Sequence, residues 1–563
     1  VAAGSLWLLK KTEMHDPFLI IHPKDNVGVA LRDLAEAQLL NTPAGTVKLA
    51  EPVAAKHKFT LHPIQAGGPV YMYGVLVGKA TRDIPVGGKI TTANLIHAAE
   101  DFTMSERSAD WEKPDISRFE GRTFRGFHRE DGRVGTRNFW LVIPLVFCEN
   151  RNIQVIREAM TAELGYVTER QFAVDTRRLV EAYRSGADEA TLLQEEIIRE
   201  GVALKEDRVF PQVDGIKFLT HQAGCGGTRE DATALCQLLA GYIAHPNVAG
   251  ATVLSLGCQH AQAAHLREAL HRIAPNYSRP LFILEQQQSQ SERHFIAEAV
   301  KQTFVGLIQA NKAKRKPAPL SKLTLGLECG GSDGFSGISA NPALGHASDI
   351  LVALGGTTIL SEFPELNGVE QELLNRCRDE ETAQKFYDLM QTYASRAAEV
   401  GSGFDMNPSP GNIRDGLITD AIKSAGAAKK GGSSPVTAVL DYTEQAVTPG
   451  LNLLCTPGND VESTTGLAGS GANIIVFTTG LGTPTGNPVA PTLKMSTNTA
   501  LAKRMPDLID IDAGTIITGE DNLVSKGEAL LELIIEVANG DTDPKAMQLQ
   551  QDDFIPWKRG VSL

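Results

Sequence analysis

Four times the chain runs through a short apolar, strand-like stretch that stops at a cysteine followed by small or polar residues. The stretches are 139–148, 216–225, 252–258 and 323–329. Helix-periodic segments follow the first three, at 153–160, 231–240 and 263–273. Short buried runs alternating with helices specify βα units and a mostly parallel sheet. Ligands of such sheets bind outside the carboxyl ends of the strands. Cys148, Cys225, Cys258 and Cys329 are therefore expected along one rim of one sheet, with the active site beside them.

The chain has 563 residues, too many for one core, which implies two to four domains. The expected fold class is α/β: a small β-rich module at the N-terminus, then a large, mostly parallel α/β region in two subdomains. Residues 1–17 read as a leader or upstream remnant. Residues 18–98 hold short β-rich pieces punctuated by glycine, and residues 99–122 read as a linker. Residues 123–313 form a first α/β domain and 314–563 a second, divided at the basic, proline-bearing stretch near 312–320. The formal charge of −13 argues against a nucleic-acid or anionic-membrane partner. The longest apolar run, ending at Cys148, is about half of what a membrane span needs. Seven cysteines in so long a chain make no disulfide scaffold, and an odd count set beside glycine fits a reducing compartment, the cytoplasm by default. Oligomeric state is not legible, and a homo-oligomer stays open.

The densest chemistry lies at 326–342. A strand ends at Glu328-Cys329, and glycines then alternate with Ser332, Asp333, Ser336 and Ser339 before Asn341-Pro342 opens a helix. Glycine lets backbone approach a ligand closely, and the small polar groups suit a polyol. Thiolate is favoured at helix N-termini, where it serves as ligand or nucleophile. Three of the cysteines could hold an iron–sulfur cluster with one open iron, or fewer could help bind a single divalent ion. The plain alternative is a small apolar core residue, the reading for Cys236 and Cys377. No C-x-x-C supports a thiol redox enzyme. Arg133 and Arg137 stand on a turn and suit bidentate carboxylate binding, a solvated hairpin tip being equally open. Further rigid polar loops carry Asn459, Asp460 and Thr483, with Lys494 soon after. His57-Lys58 pairs a candidate base or metal ligand with a cation, against the simpler reading of a surface pair.

These residues together resemble the altronate/galactarate dehydratase family of sugar-acid hydro-lyases. The similarity runs from 19 to 563 and is strongest at 326–342, 355–365, 407–412, 449–460 and 479–484. The N-terminal module resembles the SAF (β-clip) domain, with Asp25-Asn26-Val27 and His57-Lys58-Phe59 in place. The ending at 557–563 is closer to the altronate branch, while 224–231 departs from the family pattern and leaves the aldonate or aldarate open. The resemblance implies loss of water from a 2,3-dihydroxy acid to give a 2-keto-3-deoxy acid: altronate to 2-dehydro-3-deoxy-gluconate, or galactarate to its counterpart. It also implies Fe2+, with Mn2+ as a substitute, and leaves an iron–sulfur cluster open. Expected roles follow. His57 acts as base or metal ligand, and Lys58, Glu328 and Asp333 join it in catalysis. Arg133 and Arg137 take the substrate carboxylate; Ser332, Ser336, Asn341, Asn459, Asp460, Thr483 and Lys494 bind hydroxyls; Cys148, Cys225, Cys258 and Cys329 are metal ligands. A non-catalytic sugar-acid binding protein is the rival from another class.

Overall fold

The structure is a computed structural model that describes residues 16–43, 45–100, 102, 111–166, 170–202 and 208–562. The leader expected at 1–17 falls almost wholly outside the described residues, as does much of the linker.

Residues 16–98 form short antiparallel pairings around glycine turns. Val27–Ala30 sits between Phe18–Leu19 and Lys58–Thr60, and Val75–Ala80 between Pro69–Met72 and Leu95–Ile96. Strands this short cannot stand alone. They are held by a compact core in which Phe59 and Val53 are fully buried and Phe18 packs edge-on against Phe59.

The chain then enters a four-stranded, all-parallel sheet in the order Gly215–Phe218, Phe139–Pro144, Val248–Ser255, Leu281–Glu285. Its central strand is buried on both faces, which explains the unbroken apolar run. Trp140 is completely buried between this sheet and the helix Glu292–Ala310, and its ring lies against the bare Cα of Gly306. The indole N–H donates to Thr252 (3.2 Å), so the large ring is buried without an unpaired donor. Removing such a side chain costs about 3–5 kcal/mol.

The second α/β sheet has seven parallel strands in the order Val436–Leu440, Gly450–Leu454, Thr357–Leu360, Thr324–Cys329, Ile474–Thr479, Thr492–Ser496, Ile511–Asp512. The first strand in sequence, Thr324–Cys329, has its three next successors on one side and the last three on the other. Its junction with Ile474–Thr479 is thus the topological switch point, where open α/β sheets leave a crevice. The α/β class is as expected. The single cysteine rim is not: Cys148, Cys225 and Cys258 follow strands of the four-stranded sheet, whereas Cys329 ends a strand of the seven-stranded one. The four runs look alike because every buried parallel strand ends in a loop of small residues, whichever sheet it belongs to. Among the described residues no helix is long and apolar enough to cross a membrane.

Candidate active site

The turn leaving Thr324–Cys329 at the switch point is clasped by the N-terminal module. A side chain at Gly334 or at Gly416 would run into the backbone carbonyl of Lys56, so both positions must be bare for the module to seat. Lys56 then reaches into the turn: its Nζ lies 3.1 Å from Asp333 and 2.7 Å from Asp415. Asp333 is fully buried and works as a hub. One oxygen accepts from Thr497 (2.8 Å) and Ser336 (3.3 Å), the other from Asn498 (3.1 Å). His57 sits with Nε2 3.1 Å from the Arg414 carbonyl, which makes Nε2–H the donor and leaves Nδ1 with its lone pair. That Nδ1 is buried and has no partner. Burial, then the charges of Lys89 and Lys58, hold the ring below its ordinary pKa, so it is neutral at neutral pH. Lys58, 1% exposed, donates to the carbonyls of Gly416 (2.6 Å) and Lys56 (3.0 Å), and burial brings its pKa down to about 7.

At the other end of the same turn lies a buried cluster of acids and ammonium groups. Cys329 Sγ is 3.4 Å from Glu365 and 3.6 Å from Glu362. Lys430 donates to Cys329 Sγ (2.7 Å) and Glu362 (2.6 Å), and Lys423 pairs with Glu365 at 2.5 Å. Glu328 accepts from Ser463 (2.7 Å) and Ser361 (2.9 Å). Burial, then the neighbouring Glu362 charge, push the Glu328 carboxyl well above the carboxylate range, against the pull of Lys430. Burial opposes charge on Glu365 too, but Lys423 and Lys430 outweigh it and keep that group ionised. Burial works against Lys430 as well, yet Cys329, Glu362 and Glu365 around it hold its pKa well up. Glu362 has left-handed backbone (φ 66°), fixed by its N–H donating to Thr456 (2.8 Å). Non-glycine residues are strained there, and such strain concentrates at functional sites. The cluster therefore joins a buried carboxyl of raised pKa to two fixed cations in a dry setting.

The sequence matches three family models in succession: the altronate/galactarate dehydratase SAF domain at 16–98, the D-galactarate dehydratase/altronate hydrolase second domain at 126–311, and the D-galactarate/altronate dehydratase C-terminal domain at 320–562. It is 36% identical to an altronate dehydratase of Escherichia coli (strain K12) over 97% of this chain and 100% of that one. An altronate dehydratase of Bacillus subtilis (strain 168) is 34% identical over 97% of this chain and 99% of its own length. The chain belongs to the altronate/galactarate dehydratase family. It is an enzyme of the hydro-lyase class by that membership. A galactarate dehydratase (L-threo-forming) of E. coli K12 is 29% identical over 93% of both chains.

Within this dehydratase the structure sorts the residues expected from sequence. It brings His57, Lys58 and Asp333 to one end of the turn, and Glu328 and Cys329 to the other. Asp460 stands against Gly330 beside the acid cluster; burial, then Glu362 and Glu365, raise its pKa to about 7. Thr483 stands beside Gly331. Other polar groups are engaged within the protein: Ser336 with Asp333, Asn341 with Gly426 and Thr478, and Asn459 as the cap of the helix Asp460–Gly469. Ser332 is buried, and its carbonyl accepts from Asn412 (2.7 Å). Lys494 is fully buried, donates to the Thr485 carbonyl and Gln551, and is brought down to about 8 by burial.

Arg133 and Arg137 are a correction. Both precede the strand Phe139–Pro144 and so lie at the amino end of its sheet, away from the rim. Arg137 is 1% exposed and donates to the Val537 carbonyl (2.6 Å) and Asp543 (2.8 Å); Arg133 donates to Asp131 and the Ala244 carbonyl. They fasten helix ends. Lys56, Ser361, Glu362, Glu365, Lys423, Lys430 and Ser463 were not singled out in the sequence.

The divalent ion implied for the family can be tested against the donors present. Cys329, Glu362 and Glu365 bring ligand atoms within 4.8 Å of one another, and one oxygen of Glu362 has no partner. Lys430, however, touches two of the three donors and Lys423 the third, so ammonium groups fill the cation positions. A dication at the same centre would stand against a fully buried like charge. In this arrangement the triad does not fit a metal ion.

Proposed function

We propose that the chain dehydrates a sugar acid, altronate to 2-dehydro-3-deoxy-gluconate, at the switch-point turn of the C-terminal sheet. The observation that carries this is the fully buried Glu328 carboxyl, one oxygen held by Ser463 and Ser361 and the other without a partner, in one cluster with Lys430. In this reading His57 Nδ1 takes the C2 proton, and the bond's electron pair forms the C2–C3 double bond. The C3–O bond breaks, Glu328 gives its proton, and the hydroxyl leaves as water; the enol then tautomerises to the 2-keto acid. Lys423 and Lys430 offset the negative charge that develops as C2 loses its proton. Substrate approaches by the partly exposed edge at Gly331, Gly458 and Asp460. Altronate is preferred to galactarate because the altronate dehydratase relatives are more similar, at 34% and 36% against 29%.

The test measures keto-acid formation from altronate and galactarate by the full chain and by Glu328→Gln. Loss of a positioned general acid lowers kcat by about 10²–10⁴-fold. A folded Glu328→Gln chain turning over altronate at the wild-type rate would remove Glu328 from the reaction. Binding of altronate with no keto acid from the iron-loaded, reduced wild type would favour a sugar-acid binding protein instead.

A further inference from the structure

We propose that Cys148, Cys225 and Cys258 hold an iron–sulfur cluster at the carboxyl rim of the four-stranded sheet, with one iron left free of protein thiolate for an oxygen ligand. The three cysteines follow three neighbouring parallel strands, Gly215–Phe218, Phe139–Pro144 and Val248–Ser255, whose axes in such a sheet run about 4.8 Å apart. Their loops are stitched to one another. Phe147 N–H donates to the Ala223 carbonyl (3.1 Å), and Ala261 N–H donates to the Gly224 carbonyl (3.1 Å). One dipeptide, Ala223-Gly224, thereby ties the Cys148 and Cys258 loops to the residue preceding Cys225. Gly224 has φ +101° and no room for a side chain against Leu145 and Val146, so the close approach is built in.

All three cysteines are exposed, unlike the other four, which are buried, and Cys258 Sγ accepts from Gln287 (3.3 Å). Each precedes the N-terminus of a helix of eleven residues or more: Asn150–Thr161, Arg229–Ala244 and Ala263–Ile273. Three positive helix ends at one rim favour an anionic group there. Glu149, next to Cys148, is fully buried yet leaves one carboxylate oxygen without a partner. Beside Cys225 opens a cavity lined by Thr228, His260, Trp557 and Lys558.

The spacing selects the kind of metal group. Zinc–thiolate bonds are about 2.3 Å, so thiolates sharing one ion lie within about 4.6 Å of each other. Among the described residues the only trio of histidine, cysteine or acidic side chains that close is the buried one at Cys329. Three cysteines whose loops are tied together, and whose sulfurs do not all lie within 4.8 Å of one another, suit a polynuclear cluster, where each binds a different iron and inorganic sulfide bridges them. The inference stands apart from the reaction proposed above, because its readout is iron and sulfide rather than turnover.

The test purifies the full chain anaerobically and reconstitutes it with ferrous iron and sulfide. Iron and acid-labile sulfide are expected in equal amounts, with broad visible absorption that bleaches on reduction. Cys148→Ser, Cys225→Ser and Cys258→Ser should each lose both, with unchanged far-UV circular dichroism and thermal unfolding. Cys236→Ala should keep both, as should Cys329→Ser if it folds. Iron without sulfide, sulfide retained by the folded triple variant, or reconstitution that yields only a disulfide among the three would overturn the proposal.

Discussion

Replacing Lys430 with methionine should expose how the acid cluster is balanced. Its ammonium group and Glu362 are each only 1% exposed as side chains, so neither has water to fall back on. Removing one partner of such a pair leaves an uncompensated buried charge and costs about 3–5 kcal/mol, whereas replacing both by neutral groups is often harmless. For a domain of this size each kcal/mol moves Tm by about 2–4 °C, so Lys430→Met should melt roughly 6–20 °C lower. Lys430→Met with Glu362→Gln should recover most of that loss. The pH dependence has a definite sign. Burial, then the Glu365 charge, already raise the Glu362 pKa above the unfolded value of 4.5, and loss of Lys430 raises it further. A carboxyl raised on folding costs nothing below its unfolded pKa, and the cost grows as pH climbs from there to the folded pKa. The defect should therefore shrink as pH falls toward about 4.5. Calorimetry of the four chains of the cycle between pH 5 and 8 measures it. A single variant melting within 2 °C of wild type, at a precision finer than the ~6 °C lower bound, would refute the reasoning. So would a double variant no more stable than the single.

Three shorter expectations accompany it. His57→Ala should lower kcat by about 10²–10⁴-fold with the fold intact. Because burial holds the His57 pKa below 6.5, the wild-type rate should fall on the acid side only below that value; a limb above it would count against His57 as the base. Lys56→Met removes both ion pairs to Asp333 and Asp415 and should speed amide hydrogen exchange in 16–98 while leaving the four-stranded sheet unchanged. Uniform exchange across the chain would contradict that. Gly306→Ala sets about 1 kcal/mol of helix propensity against a methyl driven into the buried Trp140 ring, an overpacking cost of about 1–3 kcal/mol or more. A net loss seen in thermal unfolding is expected; a net gain would show that the ring can move.

The sheet-forming runs were legible because burial on both faces leaves an apolar signature that no other element of this length produces. The turn at 328–341 was legible for a similar reason: a loop that only reverses direction has no need of so many small polar residues. Which sheet each cysteine served was not, since strand order depends on contacts far apart in sequence. Buried charge was invisible for another reason. Lys430 follows Lys429 in the chain and looks like half of a surface pair, and Lys56 stands one residue before a histidine in an ordinary polar stretch. Glu362 and Glu365 lay in a segment that carried the family resemblance, yet hydropathy assigns them to solvent. Residues that precede a parallel strand lie at its amino end, and that rule alone removes Arg133 and Arg137 from the rim.

The seating of the N-terminal module on the switch-point turn has a consequence for how such an enzyme can be assembled. The module presents His57 to the core through the Lys56 ion pairs, the Lys58 hydrogen bond to the Gly416 carbonyl, the Thr419 hydroxyl donating to the Val77 carbonyl at 2.8 Å, and an apolar face on which Leu19, Val77 and Leu95 join the same buried cluster as Phe335, Ile338 and Leu417. Here both parts are one polypeptide, so the module faces its socket at an effective concentration set by the intervening chain rather than by the cell. The buried apolar footing and the single chain together keep the two halves of the site in register.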